Sequence, residues 1–291
     1  MLDKLYFYQK ILSLILSSRF ISPKIIKDDY DLLAPFYDEN FSIHIGSHSQ
    51  ELVRRMNIRN GASVLDLACG TGVITAELNK YIRQNNGRLV AVDFSGGMIE
   101  VAKKKIGGNI EFIEGDILEK IDTFQNDSFD YVTCGWAICY LSPQKILRKI
   151  RRILKREGKV GIIENKVNTL IPLRETALKV MKRFPRHIQY LTMLPFCLPK
   201  DCKDFGRLFK KSELKPIDLW EGEVKFNFKN GVEVLDWSLR TGTGAGFNKI
   251  MDPNIRKECD QAFIEIIEKD YKTAAGINIS RTYVAGIASK A

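Results

Sequence analysis

Two kinds of apolar pattern alternate along the chain. From Gly61 onward, short runs rich in β-branched residues are bounded by turn-forming residues, and between them apolar residues recur three and four positions apart. The runs predict strands over Ser63–Leu67, Arg88–Asp93, Ile110–Glu114, Phe129–Thr133 and Lys159–Glu164, and the wider spacing predicts helices over Val73–Arg83, Gly97–Lys105 and Gln144–Lys155. Strand and helix in strict alternation imply a mostly parallel sheet with helices on both faces. The alternation stops after Glu164. Residues 166–212 read as helix and loop, broken at Pro172, Pro185, Pro195 and Pro199; Leu214–Asn227 returns as extended chain, a second helical insert runs over 231–271, and Gly276–Ser289 reads as a last strand.

Upstream of the sheet, Leu2–Ile21 is apolar but interrupted by Lys4, Lys10 and Arg19. Its aliphatic core, Ile11–Leu16, is far short of the roughly 20 residues that span a bilayer. No small-residue cleavage site precedes the charged segment Lys24–Asp31, so a secretory signal is not expected. The segment predicts a helix packed on the protein body or lying on a membrane surface, which leaves peripheral membrane contact through residues 2–21 open. The 291 residues then suit one large α/β domain with added parts: a helical cover over 1–60, a doubly wound core over 61–165, and over 166–291 two helical lid inserts, 166–212 and 231–271, with the last strands of a seven-stranded sheet.

Charge changes this picture in one place. The net charge is +10, and 20 Lys and Arg against 6 Asp and Glu fall between Lys145 and Lys215, leaving the remainder net acidic. A basic region raises the prospect of a phosphate-bearing substrate, a nucleic acid or a membrane surface. Six cysteines without a C-x-x-C pair suggest a reducing, cytoplasmic setting, no metal site and no disulfide framework.

The densest chemical signal is Val64-Leu-Asp-Leu-Ala-Cys-Gly-Thr-Gly72, in which a strand delivers Asp66 and then a turn whose Gly70 and Gly72 let backbone approach a ligand at a helix mouth. A dinucleotide site would read G-x-G-x-x-G; here Thr75 stands at the third glycine, and Asp66 would repel a phosphate. An acidic residue there suits a ligand with a cationic end, such as the ammonium and sulfonium of S-adenosylmethionine. Asp93, ending the second strand, is placed to accept ribose hydroxyls, and Asp116, after the third, to accept an adenine amine, with Phe94 and Ile117 covering the ring. These residues share the carboxyl edge of the strands, where doubly wound sheets bind ligands.

The chain resembles the class I S-adenosylmethionine-dependent methyltransferases. VLDLACGTG is similar to their first motif, AVDFS to the second, EGDILE to the third, FDYVTCGWAICYL to the fourth, and LKREGKVGIIE to the strand that follows. Tyr30-Asp-Leu-Leu-Ala-Pro-Phe-Tyr37-Asp resembles the entrance segment of quinone-biosynthesis and related small-molecule methyltransferases, which implies that Tyr30 and Tyr37 help close the cofactor pocket. The resemblance implies a Rossmann-like methyltransferase fold and completes the cofactor set with Ala68, Met98 and Cys134. It supplies no base: Tyr140 stands where the family often has histidine, and Arg156-Glu-Gly158 replaces a Pro-Gly-Gly turn.

Methyl transfer from a sulfonium is an in-line displacement on an activated group, so alignment in a dry site can supply about 7–11 kcal/mol and a base is optional. Candidates for a base are His44, His48, Tyr140 and Glu164, and for acceptor contact Trp136 and Trp237. The expected acceptor is a small or medium-sized apolar or aromatic molecule. Nucleic-acid methylation is the first alternative. It gains from the charge but lacks a D/N-P-P-Y/F segment after the fourth strand and a Pro-Cys dipeptide. A non-catalytic S-adenosylmethionine-binding module is the second, since binding and catalysis share the same residues.

Overall fold

The computed structural model describes residues 2–82, 87–192, 197–241 and 249–290, with backbone alone for 2–4. Three helices come first: α1 (Leu2–Leu16), α2 (Pro23–Leu33) and α3 (Ile43–Met56). Ser22 starts α2 by accepting the Ile25 N–H, with Pro23 in the first turn where its missing donor costs nothing. Then β1 (Ser63–Leu67), α4 (Val73–Ile82), β2 (Arg88–Asp93), α5 (Gly96–Lys105), β3 (Ile110–Glu114), α6 (Ile117–Thr123), β4 (Phe129–Gly135), α7 (Pro143–Ile153) and β5 (Leu154–Asn165) alternate. The second half adds α8 (Ile171–Arg183), α9 (Cys202–Lys211), β6 (Lys215–Phe228), α10 (Gly231–Arg240), α11 (Arg256–Tyr271), the two-residue β7 (Lys272–Thr273) and β8 (Gly276–Ser289).

The sheet order is β3-β2-β1-β4-β5-β8-β6. β1 to β5 pair in parallel, and β8 lies antiparallel between β5 and β6. β7 pairs with β8 and adds an eighth, marginal strand to the expected seven. One face carries α6, α7 and α9, whose Ile121, Ile150, Phe205 and Phe209 are buried with Leu65, Val132 and Val160. The other carries α3 and α4, through Leu52, Met56, Ile74 and Leu78. Burial on both faces is why the strands read as near-continuous apolar runs.

Three expectations change. Helix α7 ends at Ile153 instead of Lys155, because Leu154 pairs with Phe129 as the first residue of β5. An apolar residue at a helix-to-strand junction satisfies either period. The pattern did not predict α6, which Asp116 starts by accepting the Leu118 and Glu119 N–H groups. The first insert is also shorter than a lid over 166–212: α9 packs into the sheet core, and α8 is the part that joins α10 and α11 above the strand ends.

Helix α1 buries Phe7 and Leu14 against Ile188 and Ile250. Leu5, Tyr8, Leu12, Ile15 and Leu16 recur three and four apart on another face and are exposed. Among the described residues, no helix is long and apolar enough to cross a membrane.

Candidate functional site

The turn after β1 is held open by backbone geometry. Gly70 and Gly72 have φ of 54° and 84°, and between β1 and Gly70 even Ala68 is left-handed, at 55°. A Cβ on Gly70 would meet nothing within 4 Å, because that side of the turn faces a cavity of about 410 Å³. A Cβ on Gly72 would collide with Ile106, so this glycine packs the turn against the end of α5 and does not line the cavity.

Asp66, Ala68, Gly70, Asp93, Phe94, Met98, Asp116 and Ile117 line that cavity together. The carboxylate oxygens of Asp93 accept the Gly70 N–H at 2.7 Å and the Ser95 N–H at 2.9 Å, which locks strand end and turn into one unit. Burial raises the Asp93 pKa against the pull of these amides. Asp66 is buried and accepts the hydroxyls of Thr75 at 2.6 Å and Thr133 at 2.8 Å. Burial outweighs those bonds and pushes it up to about 7. Cys134 is different: it lies in the sheet core, off the cavity wall, so it contacts packing and not the open space.

The N-terminal segment closes over this edge through two carboxylates that the sequence reading passed over. Asp31 accepts the Ser95 hydroxyl and, at 3.0 Å, the Gly97 N–H at the start of α5. Asp38 accepts the Thr71 hydroxyl within the glycine turn and pairs with Lys105 at 2.6 Å. Burial alone would raise both; bonds from Lys27, Ser95 and Gly97 to Asp31, and from Lys105, Thr71 and Ser42 to Asp38, outweigh it and hold both below the usual carboxylate range. The available signal was the repeated Tyr-Asp pair, Tyr30-Asp31 and Tyr37-Asp38, which puts an aromatic and its anchor side by side.

Tyr30, Tyr37, Trp136, Cys139 and Tyr140 line the first cavity and also a second of about 240 Å³. The Tyr30 and Tyr140 hydroxyls are 3.4 Å apart, and the Tyr30 and Tyr37 rings meet edge to face. Trp136 is left-handed, at φ 61°, with its indole N–H donated to Ser49 at 3.0 Å. Behind this aromatic wall the second cavity is bounded by Leu170, Leu173, Val180 and Met181 around α8, Leu235 of α10, Phe263 of α11 and the buried Arg281 of β8.

Most of the expected bases are elsewhere. His44 is exposed and packs edge-on against Phe226, and His48 bonds the Tyr283 hydroxyl at 2.8 Å; neither lines a cavity. Glu164 is fully buried and accepts the backbone N–H groups of Cys139 and Asn165, so it holds the loop after β4 in place. Tyr140 is at the junction, but burial pushes its phenol well above 10, which makes it a hydrogen-bond donor and not a base at neutral pH. Trp237 also leaves the expected set. It packs between Phe226 and Phe228 in the core of the lid, off both cavity walls.

Comparison with known proteins follows the same lines. The methyltransferase-domain family matches residues 64–158. A demethylmenaquinone methyltransferase of Staphylococcus aureus strain MRSA252 is 30% identical over 188 residues, covering 64% of this chain and 69% of that protein. One from Lactobacillus johnsonii is 31% identical over 179 residues, covering 57% and 72%. Among solved structures, the YcgJ protein of Bacillus subtilis and a Bacillus halodurans C-125 protein each superpose with a TM-score of 0.55 at 18% identity. They cover 84% of this chain and 98% and 99% of their own, a likeness of fold. Strand ends, glycine turn, sheet order and relatives agree: the chain belongs to the class I S-adenosylmethionine-dependent methyltransferases.

Proposed function

We propose that this methyltransferase acts on a largely apolar, ring-bearing acceptor of quinol type that sits in the second cavity and presents its nucleophilic atom through the aromatic wall. The observation that carries the reading is the set of five side chains common to both cavities, which makes the two spaces neighbours through one wall. Relatives named for a demethylated menaquinone point to the same acceptor class. S-adenosylmethionine, when bound, supplies an activated methyl group: the new bond to the acceptor forms as the methyl–sulfur bond breaks, the electron pair stays on sulfur, and one proton leaves the acceptor.

The residues present fit that cofactor. Open space over Gly70 admits a ligand against bare backbone, and the carboxylates of Asp66, Asp93 and Asp116 suit a cationic end, ribose hydroxyls and an adenine amine respectively. Phe94, Met98 and Ile117 supply apolar cover, and Tyr30 and Tyr37 close the front. Catalysis on this reading is alignment and exclusion of water, with Tyr140 donating a hydrogen bond.

A nucleic-acid substrate is disfavoured by the fate of the basic helix α7. Lys149 pairs with Asp122, Arg151 with Glu213, and Arg152 bonds the carbonyls of Ile121 and Phe124. The test is incubation with methyl-labelled S-adenosylmethionine and a reduced naphthohydroquinone. Gain of one methyl by the ring compound is expected; labelled RNA with an unchanged quinol would overturn the reading.

The same reading includes contact with an anionic lipid surface through α1. Its exposed stripe of Leu5, Tyr8, Leu12, Ile15 and Leu16 has basic neighbours in Lys182, beside Phe7, and Arg186, over Tyr6. Co-sedimentation with vesicles containing phosphatidylglycerol, lost in Leu12→Asp, is the expected result; equal recovery with neutral vesicles would count against it.

A further inference from the structure

Two bonded arms run from one cavity to the other, and both start at Asp93. One of its carboxylate oxygens accepts the Gly70 N–H and the other the Ser95 N–H. Next to Gly70, Thr71 donates its hydroxyl to Asp38, the neighbour of Tyr37. Ser95 itself donates its hydroxyl to Asp31, the neighbour of Tyr30. Gly70, Thr71, Asp93 and Ser95 line the first cavity, Tyr30 and Tyr37 line both, and Asp31 and Asp38 line neither. Each carboxylate therefore grips a hydroxyl on the cofactor side and, through a peptide bond, carries a tyrosine of the shared wall. The segment between them lies along α5: Asp38 pairs with Lys105 at one end, and at the other a Cβ on Gly97 would stand 3.1 Å from the Asp31 carbonyl oxygen. Its apolar burial is modest, with Leu32 and Phe36 exposed, and it ends in a π-helical turn over Asp38–Ser42, a rare geometry that favours functional sites. A segment held by few apolar contacts opens at small cost, so polar anchors decide its position.

We propose that Asp31 and Asp38 are positioning residues that couple the two cavities, so that a ligand in the first fastens Tyr30 and Tyr37 as the wall of the second and tightens acceptor binding. The inference rests on the acceptor occupying the second cavity. A ligand touching Gly70, Thr71, Asp93 and Ser95 orders the groups that the two carboxylates grip, which favours the fastened state over the released one. In the fastened state the two tyrosines stand against the acceptor; in the released state the wall loses them. Both ligands thus favour the same state, and linkage makes the effect reciprocal. The bonds are charge-assisted, because Asp31 and Asp38 are held below the usual carboxylate range and stay ionised at neutral pH. The consequence is that the acceptor chamber is completed only around a bound methyl donor.

The experiment titrates 1,4-dimethoxynaphthalene, a redox-inert quinol ether, into the full-length protein with and without saturating S-adenosylhomocysteine. The wild type is expected to bind the probe about 5- to 150-fold more tightly when loaded, the usual span of coupling between two sites. Asp31→Ala and Asp38→Ala each reduce this ratio, and together they bring it to within about twofold of one, whatever happens to either affinity alone. A merely structural role would not move the ratio. Asp31→Asn, which keeps the oxygen that accepts from both Ser95 and Gly97, retains most of it. Hydrogen exchange in the wild type needs no variant: the amides of residues 30–42 are expected to slow on addition of S-adenosylhomocysteine alone. Equal probe affinity with and without S-adenosylhomocysteine, unchanged exchange over 30–42, or a ratio that survives loss of both carboxylates overturns the proposal. Ala177→Trp, which narrows the second cavity, separates the two ideas. Probe binding that persists at full strength there, or that is absent from the loaded wild type, sinks the cavity reading and the coupling with it. Binding lost in Ala177→Trp but indifferent to S-adenosylhomocysteine sinks the coupling alone.

Discussion

The two cavities that meet at the aromatic wall are built from opposite materials. The first is made of strand ends and a backbone turn, with Asp66 contributed from within β1, Asp93 from the end of β2 and Asp116 from the start of α6. The second is made largely of helix faces, with α8, α10 and α11 brought over β8 and charge carried by Arg174, Arg256, Asp260 and Arg281. Backbone amides and carboxylates tied to each other, as Asp93 is tied to Gly70 and Ser95, leave little freedom to vary without losing the turn. Apolar helix faces can exchange one side chain for another at small cost. The first cavity is therefore the rigid half and the second the adaptable half.

The comparison can be broken first at Trp237. If it belongs to the lid core, Trp237→Ala lowers stability by about 3–5 kcal/mol, read from denaturant unfolding, and leaves acceptor affinity of the folded fraction alone. A raised KM at unchanged stability would return it to the site. Next comes Ala177, in the wall of the second cavity. Ala177→Trp should cut turnover by about 100-fold through misplacement of the acceptor, while calorimetry shows unchanged cofactor affinity. The converse holds for Asp93→Ala, where cofactor affinity falls about 10- to 100-fold in the same titration. The smallest effect concerns pH. Asp66 titrates near 7 when folded and near 4 when unfolded, so between these values the folded state binds more protons, and the contribution to stability is lost as pH rises through about 7. A cationic ligand favours the ionised form, so S-adenosylmethionine affinity should rise by up to about tenfold from about pH 6 to about pH 8. Asp66→Asn should flatten both curves.

The same contrast decides how much could be read from the chain. Strand ends and the glycine turn are local: a parallel strand announces itself in five apolar residues, and Asp66, Gly70 and Asp93 follow at fixed distances from such runs. Gly276–Ser289 was legible for the same reason and spans the same residues as β8. The second cavity joins segments far apart in sequence, and no spacing within one segment reports that α8 meets α11. Choosing bases by side-chain type drew attention to His44, His48 and Glu164, whose partners turned out to be Phe226, Tyr283 and loop backbone. A signal for Arg281 existed: it is the one charged residue in the 14-residue run of β8.

The position of β8 also sets an order of assembly. This strand fills the gap between β5 and β6, yet it lies later in the chain than either of them. During synthesis the β5 and β6 edges emerge from the ribosome without their partner, and unpaired edges of this length invite association between chains. The strands and glycine turn of the first cavity are complete by then, so a growing chain can assemble that half early. Arg281 and Tyr283 arrive only with β8, and long-range pairing of this kind is slow. Nascent chains should complete the two cavities in sequence, the second one last. A chaperone that shields sheet edges would have its main window of action just before residues 276–289 are made.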